Sequence, residues 1–399
     1  MKAPPLPLEE AQARLLALAT PLPVERVDVG SLAGRFLAEP LHARRTQPAC
    51  DLSAMDGYAV AADDLAGPWQ VIGESAAGHP FPEIVAPGQA VRIATGAVLP
   101  QGADAVILQE DTSHDGERLT LTGTPPNPRG KHIRRTGLDF REGGLLLNAG
   151  TRLGPAQIAL AIAGGHRHVA VRRKPVLAVL DSGDELAGDE CLPHQIPASN
   201  GTMLAVMAAS LAGTVRQLGP VPDRMEALAE ALVQAEDADV IVTSGGASVG
   251  DHDLIRPALE AWGAKIDFWR VAIKPGKPLL IARRGHQLIV GLPGNPVSSF
   301  VTAFHFLLPL LAALQGAASP LPRRIAARLA EPLGPGGGRR EFLRAEWDGR
   351  EVRALVLQDS GALSSLAAAN ALIDRPARAA PAKPGEEVLA YLLENGGIA

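Results

Sequence analysis

Cysteine is scarce in this chain of 399 residues, which contains only Cys50 and Cys191. Two cysteines without metal-ligand spacing argue against a disulfide framework and a zinc site, and we expect reduced thiols. The chain has no excess of positive charge either, since its net charge is −5. It therefore offers no electrostatic basis for binding nucleic acid. The N-terminal segment MKAPPLPLEEAQ lacks the basic start and apolar core of a signal peptide. These absences predict a cytoplasmic protein that does not bind nucleic acid.

Long hydrophobic runs are also missing. The most apolar stretch, FVTAFHFLLPLLAAL (300 to 314), contains His305 and Pro309. It is shorter than the roughly 20 residues that a membrane-spanning helix needs, so we expect a core helix and no membrane association. With 46% hydrophobic and 20% charged residues, the chain can bury several cores and is expected to form more than one domain.

The periodicity of the sequence divides the chain into four predicted domains. Residues 1–28 and 140–172 contain helical patterns and are expected to form one discontinuous helical and extended domain. Residues 29–139 contain short β-like runs divided by glycine and proline, which is typical of a mostly β domain. Residues 173–318 alternate strand and helix patterns and predict a doubly wound parallel α/β domain. Residues 319–399 predict a small C-terminal domain resembling a β-barrel.

Glycine-rich turns follow the predicted strands of the α/β region. They occur in DVIVTSGGASVGDHD (239 to 253) and LIVGLPGNPVSSF (288 to 300), and IKPGKPL (273 to 279) lies between them with Lys274 and Lys277. The first and last of these segments contribute Gly245, Gly246, Gly250, Gly291 and Gly294. Glycine lets backbone N–H groups approach a ligand closely, and a following helix N-terminus favours negative charge. Each turn alone is equally consistent with an ordinary βα connection. Together with the lysines they predict an anion site at the carboxyl ends of the strands.

Carboxylates stand beside these turns. Asp181, Asp184 and Glu185 follow a predicted strand in VLAVLDSGDEL (176 to 186), and Asp251 and Asp253 end the first glycine turn. Two like unit charges about 4 Å apart repel by on the order of 4 kcal/mol at an effective dielectric of about 20, so a phosphate site here needs cations. Besides the lysines, Mg²⁺ shared between carboxylates and phosphate oxygens is the predicted cation. An alternative role for Asp184 is the N-cap of the next segment.

Two further motifs lie in the predicted β domain. DLSAMDGYAV (51 to 60) places Asp56 and Gly57 in a tight turn, and VRIATGAVLPQGADAV (91 to 106) places Thr95 at the end of a strand. Taken alone, an Asp-Gly pair is more typical of a structural turn, and a strand threonine is usually a β former.

Six ordered segments resemble the molybdopterin molybdenumtransferase family, which includes MoeA and the gephyrin E domain. The segments are SAMDGYAV, RIATGAVLPQGADAV, SGDEL, SGGASVGDHD, IKPGKP and GLPGNPVSS. The resemblance covers essentially the whole chain and implies an elongated four-domain subunit, a homodimer, and an active site between the α/β domain of one subunit and the MDGYA domain of the other. It further implies cleavage of adenylylated molybdopterin with Mg²⁺ present and insertion of molybdate, giving molybdenum cofactor and AMP.

The resemblance also implies roles for individual residues. Catalytic roles are expected for Asp56, Glu185, Asp253, Lys274 and Lys277. Mg²⁺ is expected at Glu185, Asp251 and Asp253. Asp56 and Thr95 would come from the partner subunit. Substrate contacts are expected from Thr95, Ser182, Gly183, Asp184, Ser244, Gly245, Gly246, Ser248, Pro293, Gly294, Asn295, Ser298, Arg340, Arg344, Ser364 and Ser365. For the last four, ordinary surface arginines and loop serines are the alternative interpretation.

Two other functions stay open. The α/β region alone is similar to the molybdopterin adenylyltransferases of the preceding step. The gephyrin E domain also serves in anchoring, so a non-catalytic scaffold or binding module is a third hypothesis. The charged motifs and the additional domains favour the molybdenum-inserting enzyme, with the adenylyltransferase and the cofactor-receiving enzymes as expected partners.

Overall fold

The computed structural model describes residues 4–116, 118–188, 190–245 and 254–393. The predicted site residues Gly246, Ser248, Gly250, Asp251 and Asp253 lie outside the described residues.

The first helix, α1 (Leu8–Leu18), forms where apolar residues recur at helical spacing and acidic residues occupy the first turn. Its buried face contains Leu8, Ala11 and Leu15, which belong to the same core as the α/β domain. The amide of Gln12 donates to the backbone oxygen of His305 at 3.0 Å. The apolar face of this helix therefore packs on the α/β domain, and its expected membership of the discontinuous domain stays a prediction.

A mostly β region follows the first strand, β1 (Val24–Asp28). Its strands are β2 (Leu41–His42), β3 (Leu52–Ser53), β4 (Gly57–Val60), β5 (Trp69–Ser75), β6 (Gln89–Ile93), β7 (Ala105–Leu108), β8 (Thr112–Asp115), β9 (Arg118–Leu121), β10 (Ile133–Arg134) and β11 (Leu145–Leu147). Six of them form one sheet in the order β7-β4-β6-β5-β9-β8. Gly57 is required in β4, because a Cβ there would lie 1.9 Å from the backbone oxygen of Ile107. The MDGYA turn therefore enters the middle of a tightly packed sheet.

The chain then returns to its beginning through α2 (Pro155–Ala163) and β12 (His168–Arg172). Strand β12 pairs with β1 in antiparallel register, with Val24 opposite Arg172 and Asp28 opposite His168. A separate small core lies beneath this pair, formed by Leu32, Leu37, Leu41, Leu153, Ala161, Val169 and Val171. The pairing joins two segments that were expected to share a domain, while the exact domain boundaries stay a prediction.

The α/β domain contains a six-stranded sheet in the order β16-β13-β17-β21-β20-β18. Its elements are β13 (Val176–Ser182), β14 (Leu186–Ala187), β15 (Ile196–Pro197), α3 (Asn200–Ala208), β16 (Thr214–Val221), α4 (Met225–Gln234), β17 (Val240–Ser244), α5 (Ile255–Ala261), β18 (Lys265–Trp269), β19 (Ile273–Lys274), β20 (Leu280–Arg284) and β21 (Gln287–Leu292). Strands β16, β13, β17 and β21 are parallel, which confirms the predicted α/β fold. Strand β20 runs antiparallel to β21, because only Gly285 and His286 separate the two strands and so short a connection makes a hairpin. Strand β18 pairs antiparallel with β20 and therefore runs in the same direction as the four parallel strands.

A buried helical segment follows β21 and separates the sheet from the last domain. It runs through α6 (Pro296–Thr302), a π-helical turn (Ala303–Leu307) and α7 (Leu308–Leu314). By length and composition this segment could cross a bilayer, but 83% of its apolar stretch is buried inside the protein. That burial agrees with the expected core helix. In the π-helical turn, His305 lies against the ring of Phe342 from the C-terminal domain, with 4.2 Å between ring centroids.

The C-terminal domain is a closed five-stranded barrel, as expected. It is formed by β22 (Ile325–Leu329), β23 (Arg340–Trp347), β24 (Glu351–Ala354), β25 (Ala371–Arg375) and β26 (Glu387–Leu392), with the short helix α8 (Leu363–Ala368) between β24 and β25. The barrel closes because β23 pairs with β25 as well as with β24. Strand β19 of the α/β domain pairs in parallel with the start of β23. This pairing fixes the barrel against the α/β domain next to Lys274.

Candidate active site

Three predicted turns meet at the carboxyl edge of the α/β sheet. Gly245 has a φ of +93°, and a Cβ at this position would lie 2.5 Å from the backbone oxygen of Ser182. A Cβ on Gly294 would lie 3.5 Å from the Cα of Gly245. Asn200, at the start of α3, donates from its amide to the backbone oxygen of Gly294 at 2.6 Å. Glycine is needed here because the turns after β13, β17 and β21 approach backbone to backbone.

Buried polar atoms accompany these turns. The hydroxyl of Ser182 and the side-chain oxygen of Asn200 are buried without a hydrogen-bond partner among the described residues. Asp181 accepts a hydrogen bond from the backbone N–H of Gly201 at 3.0 Å, and its burial raises the pKa of its carboxyl. Buried polar groups are normally paired, so unpaired ones at a strand edge are consistent with a ligand-binding surface.

Three carboxylates gather on the same side of the sheet. The side chain of Asp184 accepts a hydrogen bond from the backbone N–H of Asp223 at 3.0 Å. This contact is not the N-cap of the next segment, which was the alternative role for Asp184. The carboxyl of Glu185 folds back over Gly183, where a Cβ would lie 2.5 Å from one of its oxygens. Partial burial, followed by the charges of Asp184 and Glu185, raises the pKa of Asp223. The structure therefore adds Asp223 to the predicted acidic group.

The position of Asp223 in the sequence, shortly after a strand, is a signal that the sequence motifs do not include. Asp223 comes two residues after the carboxyl end of β16, and β16 lies next to β13 in the sheet. It thus occupies the same kind of position as Asp184, which follows β13 by two residues. Recognising it required the strand order, because many carboxylates in this chain follow strands.

A cationic pocket of about 330 Å³ lies between the α/β domain and the barrel. Lys274, Lys277 and Arg339 contribute its positive charge, and Ser298 and Ser360 contribute hydroxyls. Lys277 is exposed, and no hydrogen bond or ion pair joins its ammonium to a described residue. The pocket is continuous with the glycine turns, because Asn295 immediately follows Gly294 and its amide donates to the hydroxyl of Ser360 at 3.1 Å. Two predicted lysines thus lie beside the predicted turns.

The two predicted arginines of the barrel have other partners. Arg340 is held by Asp374, with 2.6 Å from its Nε to one carboxylate oxygen, and it also pairs with Glu9 of α1. The Asp374 pair raises the pKa of Arg340. Arg344 is 1% exposed and donates to the backbone oxygens of Leu357 and Asp359. These contacts show that both arginines hold the barrel and its loop, and their expected substrate contacts stay a prediction.

The two serines of the predicted pair have different surroundings. Ser365 is buried and donates to the backbone oxygen of Leu357 at 2.6 Å. Ser364 is exposed on α8, but it does not line the cationic pocket. The serine that does line it is Ser360. The sequence motifs did not indicate Ser360, because serines are common in loops. Only the fold brings this serine to the same pocket as the lysines.

Asp56 and Thr95 come together in the β domain, on a different sheet from the glycine turns. Asp56 is exposed and accepts a hydrogen bond from the backbone N–H of Thr95 at 2.6 Å. That bond lowers the pKa of Asp56, with smaller contributions from the Thr95 side chain and the charge of Arg92. The carboxylate is thus kept ionised and directed to solvent at the edge of the MDGYA turn.

The carboxylates of the described residues bear on the expected metal site through their positions in the fold. Among residues 4–116, 118–188, 190–245 and 254–393, no group of three or more His, Cys, Asp or Glu side chains is arranged to hold a metal ion. The oxygen donors nearby nevertheless suit Mg²⁺, because the acidic group of Asp184, Glu185 and Asp223 carries repulsion that a cation would relieve.

Comparison with known proteins gives three family models matching in order along the chain. They are the MoeA N-terminal region (domains I and II) over residues 6–165, the probable molybdopterin binding domain over 183–313, and the MoeA C-terminal region (domain IV) over 326–393. A molybdopterin molybdenumtransferase of Haemophilus influenzae is 35% identical over 380 residues, which cover 92% of this chain and 94% of the relative. One of Bacillus subtilis is 32% identical, with 99% and 96% covered.

A solved structure agrees with these matches along almost the whole chain. The molybdopterin biosynthesis MoeA protein of Pyrococcus horikoshii superimposes with a TM-score of 0.84 at 28% identity, covering 98% of this chain and all of that one. The overall architecture of this chain is therefore shared with that structure. This chain belongs to the MoeA family, the molybdopterin molybdenumtransferases.

Proposed function

We propose that this chain inserts molybdenum from molybdate into adenylylated molybdopterin, forming molybdenum cofactor and releasing AMP. The observation that carries the proposal is the pocket in which Lys274, Lys277 and Arg339 face a surface continuous with the glycine turns. Both substrates are anions, so they need the positive charge and the backbone N–H groups that these two features offer together. The names of the relatives support molybdopterin as the organic substrate.

In this proposal the protein acts mainly by holding and neutralising charge. Breaking the phosphoanhydride leaves AMP with additional negative charge on its phosphate. The ammonium of Lys277, exposed and without a described partner, lies in the pocket where such a charge can be stabilised. The turns at Gly183, Gly245 and Gly294 would hold the phosphate oxygens through the backbone.

Mg²⁺ is proposed at the acidic side of the site. Glu185 would hold it, together with Asp251 and Asp253, and Asp223 adds a fourth carboxylate to the surroundings. When bound, Mg²⁺ supplies charge neutralisation on phosphate oxygens. The acidic residues themselves would orient the attacking oxygen by accepting hydrogen bonds from it.

The principal experiment measures AMP release and molybdenum-cofactor formation from adenylylated molybdopterin, with and without molybdate and Mg²⁺. We expect turnover that depends on molybdate. Formation of adenylylated molybdopterin from ATP and molybdopterin would instead identify an adenylyltransferase. Turnover in neither assay would favour a scaffold or binding module.

We further propose a homodimer in which Asp56 and Thr95 complete the site of the partner subunit. The two residues lie on a sheet separate from the α/β sheet, and Asp56 presents an ionised carboxylate to solvent. The expected setting is the cytoplasm, with substrate coming from the adenylyltransferase and product passing to the enzymes that use it.

Subunit mixing tests the shared site. Asp56→Asn and Lys277→Ala are each expected to be inactive as homodimers. After unfolding and refolding together in equal amounts, half of the dimers should be mixed and each should contain one intact site, restoring about one quarter of the wild-type activity. If sedimentation shows dimers and the mixture nevertheless stays inactive, each site is built from one subunit. A monomer in sedimentation would contradict the dimer itself.

A further inference from the structure

Asp181 lies at the carboxyl end of the α/β sheet, where the proposed function gives it no role. It is the second-to-last residue of β13 and is followed by Ser182 and Gly183, which open the first glycine turn. Asp181 is only 6% exposed, so its carboxyl group is buried beside turns that are proposed to hold phosphate. Burying a carboxylate costs free energy unless it is paired, and its charge repels an anionic ligand. Its presence here therefore needs a physical reason.

The carboxylate of Asp181 caps helix α3 from the neighbouring strand. Its Oδ2 accepts a hydrogen bond from the backbone N–H of Gly201, the second residue of α3, at 3.0 Å. The residue before the helix is Ser199, whose side chain makes no capping hydrogen bond, so Asp181 replaces the usual local cap. A Cβ on Gly201 would lie only 3.3 Å from the same carboxylate oxygen, and glycine thus allows the close approach.

The position of α3 in turn fixes the turn after β21. Asn200, the first residue of the helix, donates from its side-chain amide to the backbone oxygen of Gly294 at 2.6 Å. Gly294 packs against Gly245, since a Cβ on Gly294 would lie 3.5 Å from the Cα of Gly245. Gly245 packs against the backbone of Ser182, the residue that follows Asp181. These contacts form a closed circuit that begins and ends at the carboxyl end of β13.

We propose that Asp181 is a positioning residue: by capping α3 it holds Asn200 against Gly294, and so keeps the glycine turns at the spacing that binds the phosphates of the substrate. This inference rests on the proposed function, because it takes the turns to be the phosphate-binding surface. The carboxylate also occupies the N-terminus of α3, where a phosphate would otherwise find unpaired N–H groups. The substrate phosphates are thereby directed to the turns at Gly245 and Gly294.

The test measures kcat and the KM for adenylylated molybdopterin in Asp181→Ala and Asp181→Asn. Alanine removes the acceptor for the N–H of Gly201, and we expect KM to rise about tenfold, because a lost hydrogen bond to a charged group is worth roughly this factor. The kcat should change less than about twofold, since the turns bind the substrate and the transition state alike. Asparagine keeps a weaker, uncharged acceptor, and its KM should rise about threefold. An unchanged KM, or a fall in kcat alone, would overturn the proposal.

A double-mutant cycle tests whether Asp181 acts through Asn200. Asn200→Ala should raise KM by a factor similar to that of Asp181→Ala. Combining the two substitutions should then cause little further change, because both break the same series of contacts. Effects that instead multiply to about one hundredfold would overturn the proposed route, since the two residues would then act independently.

Asp239→Ala is the matched control at the opposite edge of the same sheet. Asp239 is 7% exposed, lies just before β17, and accepts a hydrogen bond from the backbone N–H of Val176 at 2.7 Å. We expect this variant to lose thermal stability while keeping the wild-type KM. A KM that rises as much as in Asp181→Ala would overturn the proposal, because the effect would then follow from lost stability.

Hydrogen exchange without substrate separates this inference from the proposed function. In Asp181→Ala, the backbone amides of Gly201 and of residues 290–298 should exchange faster than in the wild type, whereas those of β23 should not change. If the wild type shows turnover but exchange near Gly294 is unaltered in the variant, the proposed function stands and the positioning role fails. If the wild type shows no turnover, the proposed function fails and exchange alone decides whether Asp181 positions the turns.

Thermal unfolding establishes the temperature at which every variant is folded, and all measurements are made below it. If Asp181→Ala does not fold, Asp181→Asn decides the outcome. A KM and an exchange rate near Gly294 that both match the wild type in Asp181→Asn would then overturn the proposal.

Discussion

Lysines and arginines at the junction of the α/β domain and the barrel carry the same charge but have different surroundings. Lys274 and Lys277 are exposed on the segment that begins at β19, and they line the pocket. Arg340 and Arg344 are held by a carboxylate and by backbone oxygens, respectively. A guanidinium can satisfy several acceptors at once in fixed directions, whereas a flexible ammonium keeps access to solvent. The comparison indicates that Arg340 and Arg344 build the junction and that Lys277 remains available to a ligand.

The largest expected effect tests the structural half of this comparison. Asp374→Ala removes the carboxylate that binds both Arg340 and Arg324, in a side chain that is 2% exposed. Removing this carboxylate leaves the mostly buried guanidinium of Arg340 with only the exposed Glu9 as its partner, and should destabilise the protein by about 3–5 kcal/mol in urea unfolding. The control is Glu9→Ala, because Glu9 is the exposed partner of the same arginine and its loss should cost less than about 1 kcal/mol. An equal decrease in the free energy of unfolding for the two variants would show that burial does not determine how much an ion pair contributes to stability.

The next effect tests the functional half. Lys277→Ala should lower kcat by about 10²-fold, because it removes one charge that stabilises a developing anion. Its thermal stability should match the wild type, since no described residue pairs with the ammonium. Lys265→Ala, on the exposed edge of β18, is the control and should keep full activity. A Lys277→Ala variant that loses stability and activity together would place this lysine with the structural arginines.

The smallest effect concerns a neutral group at the same junction. His305 is completely buried, and its ring nitrogens have no described partner. Burial lowers its pKa from 6.5 to about 3; the charge of Asp374 raises this pKa to a smaller extent, and the charge of Arg340 lowers it further. Between these two values the unfolded chain binds one more proton than the folded chain, so stability falls as the pH falls through this range. His305→Leu removes this dependence. Relative to wild type, the variant should gain about 2 kcal/mol of stability between pH 7.5 and pH 5.

Urea unfolding of wild type and His305→Leu at the two pH values provides the measurement. Comparing the two proteins at each pH cancels the titration of the other groups. An identical pH dependence in both proteins would mean that His305 has an ordinary pKa and that the junction admits water. In that case the surroundings of the arginines would also be wetter than their contacts indicate.

Several elements could be predicted from local pattern alone. The parallel strands β13, β16, β17 and β21 follow from apolar runs divided by glycine turns, and the core helix after β21 follows from the apolar stretch at residues 300–314. The predicted site at the strand ends is consistent with Gly183, Gly245 and Gly294, whose backbones meet there. Sequence motifs located these residues because both their chemistry and their turns require particular residue types.

Other parts of the site could not be assigned in this way. Arg344 and Ser365 had suitable chemistry for a substrate, but both donate hydrogen bonds to the backbone oxygen of Leu357 in the loop after β24. Asp223 and Ser360 had weak sequence signals, and strand order and domain packing bring them to the acidic group and to the pocket. Side-chain direction in a closed barrel depends on which strands pair, and that information is spread over residues far apart in the chain.

The sequence by itself determined the α/β alternation, the MDGYA turn, the glycine turns and the lysine segment, because each depends on residues that are neighbours along the chain. The tertiary structure decided which charges remain available. It paired Arg340 with Asp374 and set Glu341 opposite Lys274, while the ammonium of Lys277 has no described partner. The physical reason is that the availability of a charge depends on its partners and on its exposure to water, and both are set by segments that lie tens of residues apart in the chain.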